Sequence, residues 1–378
     1  MTKILMVVDA APPHYGGAGQ QALLLAKELE AEGSTVRIYA RRRESTRSQS
    51  EMVRFVGPLI RSEALSNAIF AILIFFIVIS SRADILHCHG AFYYGFSSTA
   101  AAKIRRIPIV LKVTLLGTDD PQSIRAQRKL GLNIGIILVR QFFWADRVVA
   151  LNTDIQKACA NFSSRIETVV VANGVKLNKS FREERELRAR IPVVEPKVIF
   201  TGDVCIRKGV DTLLAAWRGF LNSYPDATLT LIGPVREEIL RILGDLDPST
   251  RNTIRVNGKL SHSSTLDALA ASDVFILPSR SEGLPNSLIE AMGIGLSCVA
   301  SSIPVNRTLC IDSATYCDPE SVLSIEAALC NAVLKNDEMS TRALNRSESF
   351  GIGRTASAYV DIYNSLAKSP NSRKVLQR

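Results

Sequence analysis

Residues 271–293 read ASDVFILPSRSEGLPNSLIEAMG. The apolar run Val274–Leu277 has the length and composition of a buried strand. It leads into a polar loop, Pro278-Ser279-Arg280-Ser281-Glu282-Gly283-Leu284-Pro285, and then into helical sequence. Asn286 or Ser287 is placed to cap that helix. Glu282 lies in the loop and Glu290 in the early turns of the helix. A strand that feeds a helix in this way presents free N–H groups beyond its carboxyl end, and such groups bind phosphate. One carboxylate at the loop and one lower on the helix suit hydroxyls at different ends of an elongated ligand.

The same alternation of strand and helix extends in both directions. Toward the N-terminus, strands are expected at Ile4–Val8, Thr35–Ala40, Asp84–His89, Ile107–Thr114, Arg147–Leu151 and Glu167–Val171. After the turn dipeptide Asn173-Gly174, a second series is expected at Lys197–Thr201, Ala227–Ile232, Thr253–Asn257, Val274–Leu277 and Ser297–Ala300. This pattern predicts an α/β chain with two doubly wound parallel sheets that meet near residue 172. A length of 378 residues suits two domains. The expected boundaries are 1–172 and 173–345, with a helix over 346–367 crossing back to the first domain and a frayed polar tail over 368–378. Ligands of such sheets lie outside the carboxyl ends of the strands, so the expected site is a central cleft faced by both domains.

Composition narrows the function. A hydrophobic content of 47% with 22% charged residues is that of an ordinary globular chain. Only 6% of residues are aromatic, which argues against stacking of single-stranded bases. No helix-turn-helix, zinc-finger or RNP pattern accompanies the positive charge, so no nucleic acid is expected as partner. The net charge of +10 is uneven: residues 1–170 hold 21 Lys and Arg against 13 Asp and Glu, and residues 171–378 hold 25 against 23. The basic half is either solvated arginine or a face for an anionic surface or substrate. Seven dispersed cysteines without CxxC spacing read as reduced thiols of a cytoplasmic protein. Met1–Asp9 is too short an apolar run for a signal peptide and reads as a strand.

Ala68–Ile79 holds twelve consecutive apolar residues. As a helix that run is about 18 Å long, against about 30 Å of bilayer hydrocarbon. It has no polar face, so it is either fully buried or turned outward to a membrane or partner. Nearby Arg41, Arg42, Arg43, Arg47, Arg54, Arg61 and Arg82 favour an anionic leaflet. The expected location is cytoplasmic and peripheral at the inner face of the cell membrane.

Three other loops follow strands. Gly16-Gly17-Ala18-Gly19 opens the first helix, where glycine lets backbone N–H groups approach an anion. Asp84-Ile85-Leu86-His87-Cys88-His89-Gly90 ends in two histidines on one strand face. A metal there lacks further ligands, and a structural or substrate-facing role is expected instead. Thr201-Gly202-Asp203-Val204-Cys205-Ile206-Arg207-Lys208-Gly209 places two cations before a helix, an arrangement suited to a diphosphate.

Together these segments resemble glycosyltransferase family 4, with the two-Rossmann-domain GT-B fold. Its most specific mark is the pair of glutamates eight residues apart, Glu282 and Glu290. Supporting marks are GGAGQ at 16–20, DILHCHG at 84–90, ADRVVALN at 145–152, VANGV at 171–175, RKG at 207–209, LIG at 231–233 and YVDIY at 359–363. The resemblance implies retaining transfer of a sugar from a UDP- or GDP-sugar to a lipid-linked or polysaccharide acceptor, with the acceptor on the first domain and the nucleotide sugar on the second. It implies that Lys208 and Arg207 neutralise the diphosphate, Glu290 holds the ribose and Glu282 contacts the donor sugar. Backbone at Gly283, Leu284, Pro285 and Asn286, with Gly16, Gly17 and Gly202, would cradle phosphate. It requires no metal and no cofactor beyond the donor. Asp119-Asp120 is read as a loop cap or acceptor contact. Three departures stand out: Asp203 where the family often has arginine, no histidine after the strand near 109–114, and Ser301–Asn306 in place of a Gly-Gly and glutamate. They keep a catalytically inactive binding or scaffold protein as the rival reading. A GT-B epimerase or phosphorylase is a more distant rival.

Overall fold

The structure, a computed structural model, describes residues 1–12, 17–43, 50–129, 131–177 and 193–367. Contacts divide the chain into one unit of Met1–Gly174 with Ile352–Arg378, and a second of Val175–Gly351.

The first unit holds strands β1 (Lys3–Val8), β2 (Thr35–Arg41), β3 (Val53–Val56), β4 (Ile85–His89), β5 (Ile109–Val113), β6 (Arg147–Ala150) and β7 (Thr168–Val170). All pair in parallel, in the order β3-β2-β1-β4-β5-β6-β7. Its helices before the second unit are α1 (Gly17–Ala31), α2 (Glu63–Ser80), α3 (Tyr93–Arg105), α4 (Pro121–Arg125), α5 (Gly135–Leu138), α6 (Arg140–Trp144) and α7 (Thr153–Phe162). Right-handed crossovers put α1 on one sheet face and α2 and α3 on the other. β1, β4 and β5 are buried along almost their whole length because both their faces are covered. Gly19 shows how closely α1 approaches β1: a Cβ there would lie 1.8 Å from the Ala10 carbonyl oxygen.

The second unit holds β8 (Lys197–Thr201), β9 (Thr228–Ile232), β10 (Ile254–Gly258), β11 (Val274–Leu277), β12 (Ser297–Ser301) and β13 (Thr315–Cys317). They are parallel, in the order β10-β9-β8-β11-β12-β13. The helices are α8 (Val210–Ser223), α9 (Glu237–Asp245), α10 (Pro248–Asn252), α11 (His262–Ala270), α12 (Asn286–Ile294), α13 (Pro304–Cys310), α14 (Val322–Leu334) and α15 (Asn336–Ser347). Trp217 and Phe220 of α8 are fully buried against Thr253 and the sheet. Within each unit the order is that of a dinucleotide-fold sheet, with switch points between β1 and β4 and between β8 and β11.

The chain then returns to the first unit as α16 (Ile352–Ala367). It starts at Ile352 rather than at 346, because α15 ends in a 3-10 turn, Glu348–Phe350, before Gly351. Tyr359 and Tyr363 of α16 are buried beside α1 and β1, and Thr355 donates to the Ala172 carbonyl over 3.1 Å.

Two expectations about the basic, apolar part of the first unit change. Helix α2 is 18 residues, about 27 Å long, rather than twelve. Ser62 caps it by accepting from Leu65 N–H, so the helix begins at Glu63, five residues before the apolar run. By length and composition alone it is long enough to cross a membrane. It packs along α3 through Phe70, Ile74 and Val78, which are buried, while Leu65, Ile72 and Phe76 are 50%, 56% and 61% exposed. Not all the arginines assigned to a leaflet are free to meet one. Arg41 is buried and pairs with Asp9 over 2.9 Å and Glu63 over 3.4 Å, and Arg43 pairs with the same Asp9. Arg54, Arg61 and Arg82 are exposed, and Arg47 lies outside the described residues.

Candidate active site

Loops that follow adjacent strands at a switch point face each other, and in the second unit these are 202–209 after β8 and 278–285 after β11. They carry most of the residues singled out above. Ile206–Lys208 form one 3-10 turn, closed by Gly209 at φ +69°. A Cβ on Gly209 would lie 2.0 Å from the Pro278 carbonyl oxygen, so the two loops meet where only glycine fits. The backbones are joined by Arg280 N–H donating to Arg207 O over 2.9 Å. Arg207 returns a bond from its guanidinium to Ser281 O over 2.9 Å.

Lys208 and Glu282, 74 residues apart, form a direct ion pair. Their side chains are only 11% and 7% exposed. The pair places one cation and one carboxylate at the same point of the switch crevice. Arg280 supports it from behind. Its guanidinium grips Asp211 at 2.7 and 3.0 Å, Glu320 at 2.7 and 3.0 Å, and Thr212 Oγ1 at 3.0 Å. Asp211 stands in the first turn of α8, so Arg280 ties that helix start to the loop after β11. These carboxylates raise the Arg280 pKa further.

Helix α12 begins at Asn286, with Pro285 as its cap residue and no side chain capping it. The expected Asn286 or Ser287 cap does not form, because Asn286 is already helical. Pro285 has no N–H, so it shapes the turn without donating to an anion. Gly283 is buried and Leu284 half-buried in the same turn. Gly202 is also reassigned: its N–H donates to the Ile232 carbonyl over 2.9 Å and is already spent within the sheet edge. Gly17 opens α1 in the first unit, and Gly16 lies outside the described residues.

Glu290 lies in the second turn of α12, its side chain 12% exposed. Burial pushes its carboxyl pKa up to about 8, which favours the protonated form at neutral pH. The imidazole of His262, at the start of α11, lies with Nδ1 3.8 Å from Glu290 Oε1. His262, Arg280 and Arg236 carried no signal in the sequence beyond their residue types.

Family models match both units: one described as Glycosyltransferase Family 4 over residues 15–179, and one described as Glycosyl transferases group 1 over 195–334. The chain belongs to glycosyltransferase family 4. Among its relatives, a Bacillus subtilis glycosyltransferase assigned to teichuronic acid biosynthesis is 24% identical over 58% of this chain and 53% of its own length. An Escherichia coli UDP-Gal:alpha-D-GlcNAc-diphosphoundecaprenol alpha-1,3-galactosyltransferase is 24% identical over 68% of this chain and 67% of its own. The first relatives matched are thus spanned over about half their length, 53% and 48%. The fold is shared end to end with sucrose-phosphate synthase of Thermosynechococcus elongatus, with a TM-score of 0.77, 18% identity and coverage of 97% of this chain and 99% of that one. The architecture is therefore GT-B.

Two of the three departures of this chain from its family's pattern have structural accounts. Asp203 forms a two-pronged ion pair with Arg236, from the loop after β9, at 2.9 and 3.2 Å. Each neutralises the other, and the pairing raises the Arg236 pKa further. In the 301–306 loop, Ser301 Oγ donates to Ser279 O over 2.5 Å, and Asn306 Nδ2 donates to Ser301 O and Oγ over 3.2 and 3.0 Å. This segment is thus fastened at Ser279 to the loop that carries Glu282.

In the first unit His87 and His89 are buried, and burial holds both far below the usual histidine pKa. His87 Nδ1 shares a hydrogen bond with Tyr363 OH over 2.8 Å, which joins β4 to α16. Lys112 beside these histidines donates to Asn173 Oδ1 over 2.7 Å, and burial lowers its pKa to about 7. Asp119 accepts from Thr114 and Leu115 N–H groups, and Asp120 caps α4, so both are loop caps. Among the described residues no group of three or more His, Cys, Asp or Glu is arranged to hold a metal ion.

Proposed function

We propose that this chain is a retaining hexosyltransferase that moves a sugar from a UDP- or GDP-sugar to a lipid-linked or cell-surface polysaccharide acceptor at the membrane surface. The carrying observation is the buried Lys208–Glu282 pair at the switch point, beside the start of the helix that bears Glu290. On this reading Lys208 and Arg207 offset the charge that grows on the departing diphosphate. Glu282 accepts from donor-sugar hydroxyls, and Glu290 meets the ribose diol. No side chain acts as nucleophile. The bond from the anomeric carbon to the diphosphate oxygen breaks as the acceptor oxygen bonds to the same face, and the acceptor proton passes to the departing phosphate. The reading includes no metal, and activity retained in EDTA checks that part.

Support for a lipid-linked acceptor comes from two sources. The Escherichia coli relative is named for a diphosphoundecaprenol-linked acceptor. Helices α2, α3 and α6 expose Ile72, Phe76, Ile104 and Phe143, and residues 121–144 contain Arg125, Arg128, Lys129 and Arg140 with no acidic residue. Apolar side chains flanked by cations suit an anionic leaflet on the cytoplasmic side.

Thermal unfolding with UDP, GDP and ADP tests the donor site. A ligand at 100 times its Kd stabilises by about 2.7 kcal/mol. One nucleotide should shift the wild type and not Lys208→Ala/Glu290→Ala. No shift with any of them, in folded protein, favours the inactive scaffold, as would nucleotide release that no acceptor stimulates.

A further inference from the structure

Glu290 is a buried carboxyl that lies in ion-pair range of His262, with Nδ1 at 3.8 Å from Oε1. His262 is held in place. It is the first residue of α11, behind Ser261, whose hydroxyl caps the helix by accepting from Ser264 N–H over 3.1 Å. Its side chain is 32% exposed, so it stands at the edge of the site with one side toward solvent. The elements packed on α12 carry other ionisable groups: Asp267 on α11, Cys298 on β12, and Asp337, Glu338, Arg342 and Arg346 on α15. None pairs with Glu290. Arg342 is engaged by Asp312 and Glu338, and Arg346 by the carbonyls of Leu309 and Thr308. Lys208, the nearby loop cation, is committed to Glu282.

We propose that His262 is a positioning residue for Glu290, which aims the carboxyl at the ribose diol and takes up its proton when a nucleotide binds. This rests on the reading of the second unit as a nucleotide site. The chemistry follows from the two ligand hydroxyls. A vicinal diol offers two donors, and a carboxylate accepts both, whereas a carboxylic acid must use one oxygen as a donor. Glu290 favours its protonated form at neutral pH because burial disfavours its charge. Binding the diol therefore breaks the Glu290 O–H bond, and an N–H bond forms on His262. The product is an imidazolium–carboxylate pair with the charge balanced locally. At 3.8 Å the two groups are in ion-pair range, and such contacts tighten when the ligand arrives.

Calorimetry of UDP and GDP binding at pH 7, in two buffers of different ionisation enthalpy, counts the protons released. The nucleotide's own terminal phosphate contributes equally to every variant, so differences from wild type are read. His262→Ala should release about one more proton than wild type, because Glu290 must then discharge to the buffer. It should also bind about tenfold more weakly, as expected for loss of a hydrogen bond to a charged group. His262→Gln keeps a donor but accepts no proton, so it should recover affinity and still release the extra proton. Glu290→Gln should show no extra release in either background. A purely structural His262 would change affinity without changing the proton count. Binding with an unchanged count in both His262 variants overturns the inference alone. Failure of folded wild type to bind either nucleotide overturns the nucleotide-site reading and this inference with it.

Discussion

Removing the ammonium of Lys208 is the perturbation that the site geometry constrains most closely. Lys208→Met keeps much of the apolar stem and strands the Glu282 carboxylate at 7% exposure. Breaking a buried pair by deleting one partner costs about 3–5 kcal/mol, because the remaining charge is left in a poor solvent. Lys208 retains 11% exposure, which admits some water and places the expected cost near the lower end, about 3 kcal/mol. For a unit of this size each kcal/mol moves Tm by about 2–4 °C, so the transition of the second unit should fall by roughly 6–12 °C. Glu282→Gln in the same background removes the stranded charge, and the double variant should recover to within about 3 °C of wild type. The assay is thermal unfolding of both single variants and the double variant under one condition. A loss below about 2 °C in Lys208→Met, or simple additivity in the double variant, would show that the pair is not desolvated and would remove the basis for its proposed role.

Glu290 should make stability fall with pH. Its folded-state pKa of about 8 lies above the ordinary 4.5, so the folded chain holds an extra proton between those values and loses stability as pH rises through them. By pH 7 that amounts to about 3 kcal/mol relative to pH 4.5, and Glu290→Gln should flatten the Tm profile between pH 5 and 8 while weakening nucleotide binding. An unchanged slope in the variant would refute this. Gly209→Ala forces a side chain into left-handed backbone, at about 1–2 kcal/mol, and against the Pro278 carbonyl. It should displace the Lys208 turn and lower nucleotide affinity more than it lowers Tm, and equal affinity would mean that the turn does not position the cation. Ile72→Glu with Phe76→Glu should abolish sedimentation with anionic vesicles and leave the far-UV circular dichroism unchanged. Undiminished sedimentation would eliminate α2 as the docking face.

Much of the fold was legible because the strands are buried on both faces. Val274–Leu277 and Lys197–Thr201 have the bounds read from their apolar runs. The strands without a sequence signal are β3 and β13, both at sheet edges, where one side is wet and Arg54 or Tyr316 interrupts the apolar pattern. The glutamate pair, Lys208 and Arg207 were visible as residue types after strands. Their pairing was not, since Lys208 meets Glu282 only because β8 and β11 are neighbours across a crossover. Arg280 was hidden for the same reason: its partners Asp211 and Glu320 are 69 and 40 residues away. Arg41, read as a surface cation, is internal because Asp9 follows β1 beside the end of β2. The short-range error at Asn286 has a different cause. Pro285 can occupy the cap position, and residue type alone did not show which of the two starts the helix.

The charge arrangement explains how the proposed site could distinguish a nucleotide sugar from the phosphates that surround it in a cell. Four basic side chains stand near the switch point, and three of them are paired with carboxylates: Lys208 with Glu282, Arg280 with Asp211 and Glu320, and Arg236 with Asp203, while the Arg207 guanidinium donates to the Ser281 carbonyl. An anion that binds Lys208 alone must separate it from Glu282 and leave that carboxylate buried and unsatisfied. Inorganic phosphate or pyrophosphate has nothing to offer Glu282, so its binding bears that cost in full. A nucleoside-diphosphate sugar brings both complements, a diphosphate for Lys208 and hydroxyls for Glu282. The pair is then exchanged for two charge-assisted contacts rather than broken. It follows that Glu282→Gln should lower selectivity: pyrophosphate should bind the variant more tightly than it binds wild type, by about tenfold if one stranded charge is relieved. Competition of pyrophosphate against a fluorescent nucleotide measures this directly. If pyrophosphate binds both proteins equally, Glu282 is not the ground on which the site rejects simple phosphates, and selectivity must come from contacts to the base and ribose instead.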